Sequence, residues 1–556
     1  MSLPMPWDHV RRTSIVLEMQ PSSGPTSTQA ETQEQPKVEE QLESQEKLPE
    51  RPLSKRRMYL IVATVACITF VNSTLSGLMT VSLPTIARDI HLPDSLQLLD
   101  SIPRPRIQAD SSFFAVLWPP AVSSLSCGCT LLAFGSIADV VGGRKIYLLG
   151  MFLITGTTIA CGLSRNGLEL ILFRTTQGLA MALCLPSSVL LITSNIPHGE
   201  NQNIAFACLC AGQPVGFGFG LIIGGLFIEE LTWRYGYYLT GALTFAIFIG
   251  AIFALPVDSA ESQPISRILF RIRRDIDWIG CLLLSACNGI LLYLFSVLAS
   301  GTHNFVTATS LSLTVVAILI IPAFVLWVRK QERLGQKAII PPSLWGNKVF
   351  ASLCFIVFIV WGCFNATQYF ISLYFQLVQG LSAIQTSLRF LPQAFMGLGT
   401  SLLTGWLVKY VPAAILIVCS AIITAVCPII MATLDPTWSY WRSSFFALTC
   451  IPICADVLFT VASLLTVSLF PDDHGLAGGV FNTISNIGNS VGLAAAAVIA
   501  ASVTKADLEG SHPKDPIDAL RSGYRASFLA CAASNVFVLI AAYYGLRNVG
   551  KVGIKN

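Results

Sequence analysis

Asp456 sits near the middle of the apolar run 445–470, in Ile451-Pro-Ile-Cys-Ala-Asp456-Val-Leu-Phe459. A carboxyl surrounded by hydrocarbon favours its neutral form and gives up the proton when water or a cation reaches it. That is the chemistry of a proton carrier; the bland reading is a neutral Asp bonded to a neighbouring helix. Arg174 lies one to two turns inside another apolar run, 168–192, and Gln177 follows it on nearly the same helical face. An arginine at that depth is costly and must face a partner or water inside a bundle. The alternative is a guanidinium that snorkels to the interface. Asn482, Asn486 and Asn489 recur at helical spacing. Their amides can bind a ligand or bridge helices. Asn365, Gln368, Tyr369, Tyr374 and Gln376, with Phe364 and Phe370, form a second group of amides and aromatics. Such a wall suits a large, weakly polar organic ligand.

No nucleophile–base pair accompanies these groups, so an integral-membrane enzyme is disfavoured. The 16 cysteines lie in apolar runs, and Cys127 and Cys129 form only a C-x-C. Free Cys behaves as a small buried hydrophobe. The six histidines fall in the tail or loops, away from mid-membrane. Neither a metal nor a cofactor is expected. The net charge of +4 reflects loop bias rather than nucleic-acid binding.

The elements that position these residues follow from composition. The chain is 53% hydrophobic and 12% charged over 556 residues, against about 25% charged in a soluble protein. Runs of about 20 apolar residues read as membrane-crossing helices. They fall near 58–83, 114–134, 146–164, 168–192, 204–228 and 236–255. Two follow a basic linker, near 278–298 and 311–328. After a second basic linker come 349–373, 388–408, 413–434, 445–470, 476–503 and 527–546. The reading is therefore all-α, with fourteen spans. Residues 1–57 form a polar, disordered cytoplasmic tail, and 58–256 a six-helix bundle. Residues 257–348 hold the linkers and two extra helices, 349–547 the second bundle, and 548–556 a short tail. Basic clusters at 55–57, 144–145, 267–274, 329–337 and 547–555 all fall on one side of this topology, which is the cytoplasm by the positive-inside rule.

A short charged island, Gly135-Ser-Ile-Ala-Asp139-Val-Val-Gly142-Gly143-Arg144-Lys145, separates the second and third spans. So few residues allow only a tight hairpin, and Asp139 can pair with a basic neighbour at a helix end. This pattern resembles the signature loop of the major facilitator superfamily, with Val140 and Gly143 where many members carry Arg or Lys. Other stretches extend the resemblance. Val81-Ser-Leu-Pro84-Thr-Ile-Ala resembles the family's first-helix ending, and Asn72, Ser73 and Thr74 stand where many relatives carry Asp. Arg174-Thr-Thr-Gln177-Gly178 resembles its fourth-helix motif. Gly216, Gly220 and Gly224 recur every four residues, giving a groove for close helix approach. With Gly225 they resemble the fifth-helix antiporter motif, where Leu221 replaces the usual Pro and any kink moves to Pro214. Asp275-Ile-Asp277-Trp278-Ile-Gly280 resembles the first extra helix of the 14-span drug:proton antiporter branch, two six-helix bundles with two helices between them.

The resemblance implies proton-coupled efflux of drugs, toxins or secondary metabolites by a fungal-type transporter. Its partners would be an organic substrate, protons and the lipid bilayer. The expected state is a monomer in the plasma membrane, with the vacuolar membrane as the alternative. Proton-coupled uptake, for instance of siderophore chelates, is the rival within transport; a non-transporting membrane sensor is the rival outside it. Residues 98–117 have Pro103 and Pro105, mixed charge and no helical period, so they read as a loop. An extracellular lid is one reading. The preferred one is an insertion peripheral to transport, of the kind an unspliced intron leaves.

Overall fold

The computed structural model describes residues 55–90, 118–196, 200–256, 276–299, 307–336, 338–408, 410–469, 474–509 and 514–547. The polar tail to residue 54, the stretch 98–117, the basic linker 257–275 and the C-terminal residues from 548 lie outside them.

Fourteen long helices account for nearly all described residues: α1 Lys55–Asp89, α2 Trp118–Val141, α3 Gly143–Leu163, α4 Gly167–Asn195, α5 Glu200–Glu230, α6 Trp233–Ala254, α7 Trp278–Ala299, α8 Ala308–Arg333, α9 Lys348–Leu373, α10 Ala383–Leu407, α11 Ala413–Thr433, α12 Ser444–Leu469, α13 His474–Glu509 and α14 Pro516–Leu546. Thirteen are long and apolar enough to cross a membrane. Helix α10 has the length but less apolarity. Its buried face carries Thr386, Ser387, Gln393 and Thr404, while Leu388, Phe395, Leu403 and Trp406 are exposed opposite. Such an amphipathic helix lines polar space on one side and meets lipid on the other.

Local chemistry sets several helix ends. The Asn166 side chain accepts from the Glu169 N–H at the start of α4, and Ser382 with Gln385 makes a capping box on α10. Asn347 accepts from the N–H groups of Val349 and Phe350. Helix α9 runs on into a π-helical turn, Tyr374–Val378.

The hairpin between α2 and α3 is tighter than a loop. Gly142 alone breaks the helices, at φ 107, a conformation that L side chains rarely adopt. Gly135 and Gly143, expected in the turn, are helical and pack on Pro186 and Leu190 of α4. Lys55-Arg56-Arg57, expected in the tail, is the first turn of α1.

The α5 glycines do what their spacing requires. A Cβ on Gly216 or Gly220 would collide with the carbonyls of Phe70 or Thr74, and one on Gly224 would press on Leu78. Helix α1 therefore lies directly on the backbone of α5. Gly225 points elsewhere, against Ile384 and Ser387 of α10.

The extra helices hang on Asp277, just ahead of α7. Its Oδ1 accepts from Gly280 N–H and from the Trp327 indole of α8, each at 2.8 Å, and its Oδ2 accepts from Ile339 N–H at 3.4 Å. One buried carboxylate thus fixes α7, α8 and the strand of chain leading to α9.

Candidate functional site

A cavity of about 520 Å³ lies between α1–α6 and α9–α14. Its lining is largely apolar or neutral-polar, and Asp139, Arg174 and Asp456 are its charged groups. Seven polar residues picked out in the sequence reach it, with both deep charges: Gln177 with Arg174 from α4, Asn365, Gln368 and Tyr369 from α9, Asn482, Asn486 and Asn489 from α13, and Asp456 from α12.

Asp456 is half-buried and has no side-chain hydrogen bond or ion pair among the described residues. Its Oδ2 lies 2.9 Å from where a Cβ on Gly397 of α10 would stand, and that same point is 3.1 Å from Pro214 of α5 and 3.6 Å from Pro452. The carboxylate therefore occupies a notch where α5, α10 and α12 meet. Both prolines sit inside helices. Each removes the donor that the carbonyl four residues earlier, Cys210 or Leu448, would otherwise have.

Arg174 is 4% exposed and does not snorkel. Its Nη1 donates to Gln177 Oε1 at 2.8 Å, and its Nε donates to the Pro119 carbonyl at 3.4 Å. Gln177 Nε2 donates in turn to the Thr158 hydroxyl at 2.8 Å. This chain joins α4 to the start of α2 and the last third of α3, with a cation at its head.

The α13 amides do not bridge helices as the sequence allowed. Asn482 and Asn486 donate back to the carbonyls of Gly478 and Asn482 on their own helix, leaving their oxygens for the cavity. Asn365 donates to the backbone carbonyl of Asn489 at 3.4 Å. The expected aromatic–amide wall is divided. Phe364 lines the cavity, but Phe370 meets the Tyr524 ring edge-on, and the Tyr374 hydroxyl donates to the Leu434 carbonyl. Of the first-helix trio, Asn72 and Ser73 line the cavity, while Thr74 bonds the Phe70 carbonyl beneath Gly220.

Sequence reasoning missed Gln393 and Trp361. Both line the cavity, and Gln393 Oε1 and Trp361 Nε1 are buried without a partner among the described residues. The available signal for Gln393 was an amide in an apolar stretch, one turn before Gly397.

The two ends of the cavity differ. It extends past Ser136 and Asp139 at the end of α2, Thr193 at the end of α4, Phe206 at the start of α5, and Ser463 and Gly478. At the other end the bundles are tied together. Ser372 donates to the Thr80 carbonyl at 2.7 Å, and Gln376 to the Val81 carbonyl at 3.1 Å. The Ile384 N–H donates to Glu229 at 3.1 Å, and Ser387 to the Leu221 carbonyl at 2.7 Å. Gln376 is thus a closing residue, not a cavity one. At this same end Asp89 takes the Trp233 indole N–H at 2.9 Å and lies 3.9 Å from Arg234. In the loop before α12, the N–H and hydroxyl of Thr437, with Arg521, hold Asp435 below the usual carboxylate range. Near the Asp139 end, Arg144 donates to the Ile252 carbonyl at 3.1 Å, fastening the α2–α3 hairpin to α6.

The family model described as Major Facilitator Superfamily matches residues 65–344 and 309–493. MFS-type transporter 1 of Pyricularia oryzae is 37% identical over 548 residues, covering 90% of this chain and 85% of its own. The cephamycin export protein CmcT of Amycolatopsis lactamdurans is 28% identical over 449 residues, covering 79% and 86%. Among solved structures, the human organic anion transporter MFSD10 superposes with a TM-score of 0.56 at 13% identity, covering 88% of this chain and 100% of its own.

Proposed function

This chain belongs to the Major Facilitator Superfamily, and from that premise we propose that it exports small organic compounds in exchange for protons. The observation that carries the reading is the central cavity: bundle-lined, reaching Asp139, and holding a carboxylate, Asp456, without a side-chain partner among the described residues. With the basic Arg144–Lys145 end in the cytoplasm, this geometry supports a carrier that loads from inside. Substrate would enter past Asp139 and rest against Gln368, Tyr369, Asn365 and the α13 amides. Arg174, held by Gln177 and the Pro119 carbonyl, would order the polar groups at the closed end. A proton arriving from outside would neutralise Asp456 and favour return of the empty carrier.

Export accords with the name of the cephamycin export protein, and the bundles at 58–256 and 349–547 are the two rocking bodies of this scheme. The glycine-packed α1–α5 contact would keep protons from leaking between helices. Plasma-membrane residence fits export from the cell. The test is transport by the purified protein in lipid vesicles loaded with a lipophilic organic dye, with and without an imposed pH gradient. Gradient-dependent dye movement opposite to the proton flow supports antiport. Co-directional movement would establish uptake, and no movement with a panel of dyes would favour a sensor.

A further inference from the structure

We propose that Gln393 on α10 is the hydrogen-bond acceptor for the protonated form of Asp456 on α12, and that Gly397 lacks a side chain so that this carboxyl can lie beside it. The inference rests on the reading of Asp456 as the proton carrier and adds the groups that receive its proton-loaded state.

The geometry is specific. Gln393 and Gly397 are one turn apart on α10, so their side-chain directions coincide and their Cβ positions stand about 6 Å apart. Asp456 Oδ2 lies 2.9 Å from the Cβ position of Gly397, within reach of a glutamine side chain rooted one turn away. Gln393 is 3% exposed, and its Oε1 has no donor among the described residues. A buried amide oxygen without a donor costs on the order of 1–3 kcal/mol, so its retention calls for a donor that comes and goes. A neutral carboxylic acid supplies one O–H, and a carboxylate supplies none. Proton arrival at Asp456 would therefore complete an O–H···O bond to Gln393, and proton release would break it.

Among the described residues, the titratable and charged groups on the elements around the notch turn elsewhere, apart from Cys210. The Cys210 thiol on α5 interacts with the carboxylate. Arg389, the charged residue of α10, is turned to Gln379 and lies between Phe375 and Tyr440. On α9, the free Cys363 thiol has that of Cys531 of α14 as its neighbour. On α12 itself, Cys454 faces Ser420 of α11. Arg174 is bound to Gln177 and Pro119. The α11 thiol Cys427 adjoins Cys450 and Cys531.

Bond formation across α10 and α12 also bears on the bundle contact, because Pro214 of α5 closes the notch. A carboxylate there needs water, which the cavity that Asp456 lines can supply. A neutral acid bonded to Gln393 needs none, and the contact can close.

Infrared difference spectroscopy of the full chain reconstituted in lipid tests this without a substrate. A protonated carboxyl gives a C=O stretch at low pH, and the band lost in Asp456→Asn is that of Asp456. A carboxyl that donates a hydrogen bond absorbs at lower wavenumber than a free one. Gln393→Leu and Gly397→Ala should both move the Asp456 band to higher wavenumber. Gly399→Ala makes the same backbone change where nothing lies within 4 Å and should leave it in place. An unmoved band in both Gln393→Leu and Gly397→Ala overturns the pairing while leaving Asp456 as carrier. Absence of any band lost in Asp456→Asn overturns the carrier reading itself.

Discussion

Ser372 on α9 donates its hydroxyl to the backbone carbonyl of Thr80 on α1 over 2.7 Å, joining the two bundles at the end opposite Asp139. The bond uses one side chain and one backbone oxygen, so it can break without stranding a charge. A net hydrogen bond contributes roughly 0.5–1.5 kcal/mol, the scale on which a carrier can exchange two states of similar energy. Removing it together with the Gln376–Val81 bond should raise the population opened at this end by about tenfold or more. Spin labels at the exposed Leu231 and Trp441 would report this in Ser372→Ala/Gln376→Leu as a longer-distance population. An unchanged distance distribution would show that apolar packing, not these bonds, holds the end shut.

Asp456→Asn should abolish transport driven by a pH gradient while the protein still reaches the membrane in normal amount. Asparagine fills the same notch beside Gly397 but cannot exchange a proton. Dye exchange without a gradient should persist. Gradient-driven export at the wild-type rate would place coupling elsewhere.

Arg174→Lys should slow export about tenfold or more at equal abundance, because hydrogen bonds to a charged group are worth roughly 1.5–3 kcal/mol and lysine lacks the planar fork that reaches Gln177 and Pro119 together. A fully active lysine variant would mean that charge alone suffices at this position.

Asp277→Ala should lower the thermal midpoint by several degrees. It strands three donors, the N–H groups of Gly280 and Ile339 and the Trp327 indole, each costing about 1–3 kcal/mol when buried and unpaired. Trp327 emission during heating, read as the difference from Trp327→Phe because the chain has 10 tryptophans, separates early release of α8 from global unfolding. A midpoint equal to wild type would show that α7 and α8 are held by packing alone.

Gly220→Ala should cut membrane abundance sharply, since its Cβ would meet the Thr74 carbonyl, which is backbone and cannot swing aside. Gly250→Ala on α6 should be silent, with open space around its Cβ. Equal abundance of the two variants would show that α1 can shift on α5.

The sequence by itself determined the helices, their number and their order, because apolar length is a local property that a bilayer imposes. It also determined which glycines must meet another helix, since a four-residue repeat of missing side chains has one face. Arg174 and Asp456 stood out for the same reason: charge amid hydrocarbon is conspicuous without knowing the fold. Tertiary structure alone decided what each charge faces. Nothing local shows that Asp456 rests against Gly397 and Pro214, more than fifty residues away in the chain, or that Gln393 waits one turn along without a donor. Nor does spacing divide the α9 aromatics, because Tyr369 and Tyr374 differ only in which side of the helix meets the cavity and which meets Leu434. Side-chain type reads out what a residue can do, and only the packing of distant helices fixes which partner it does it with.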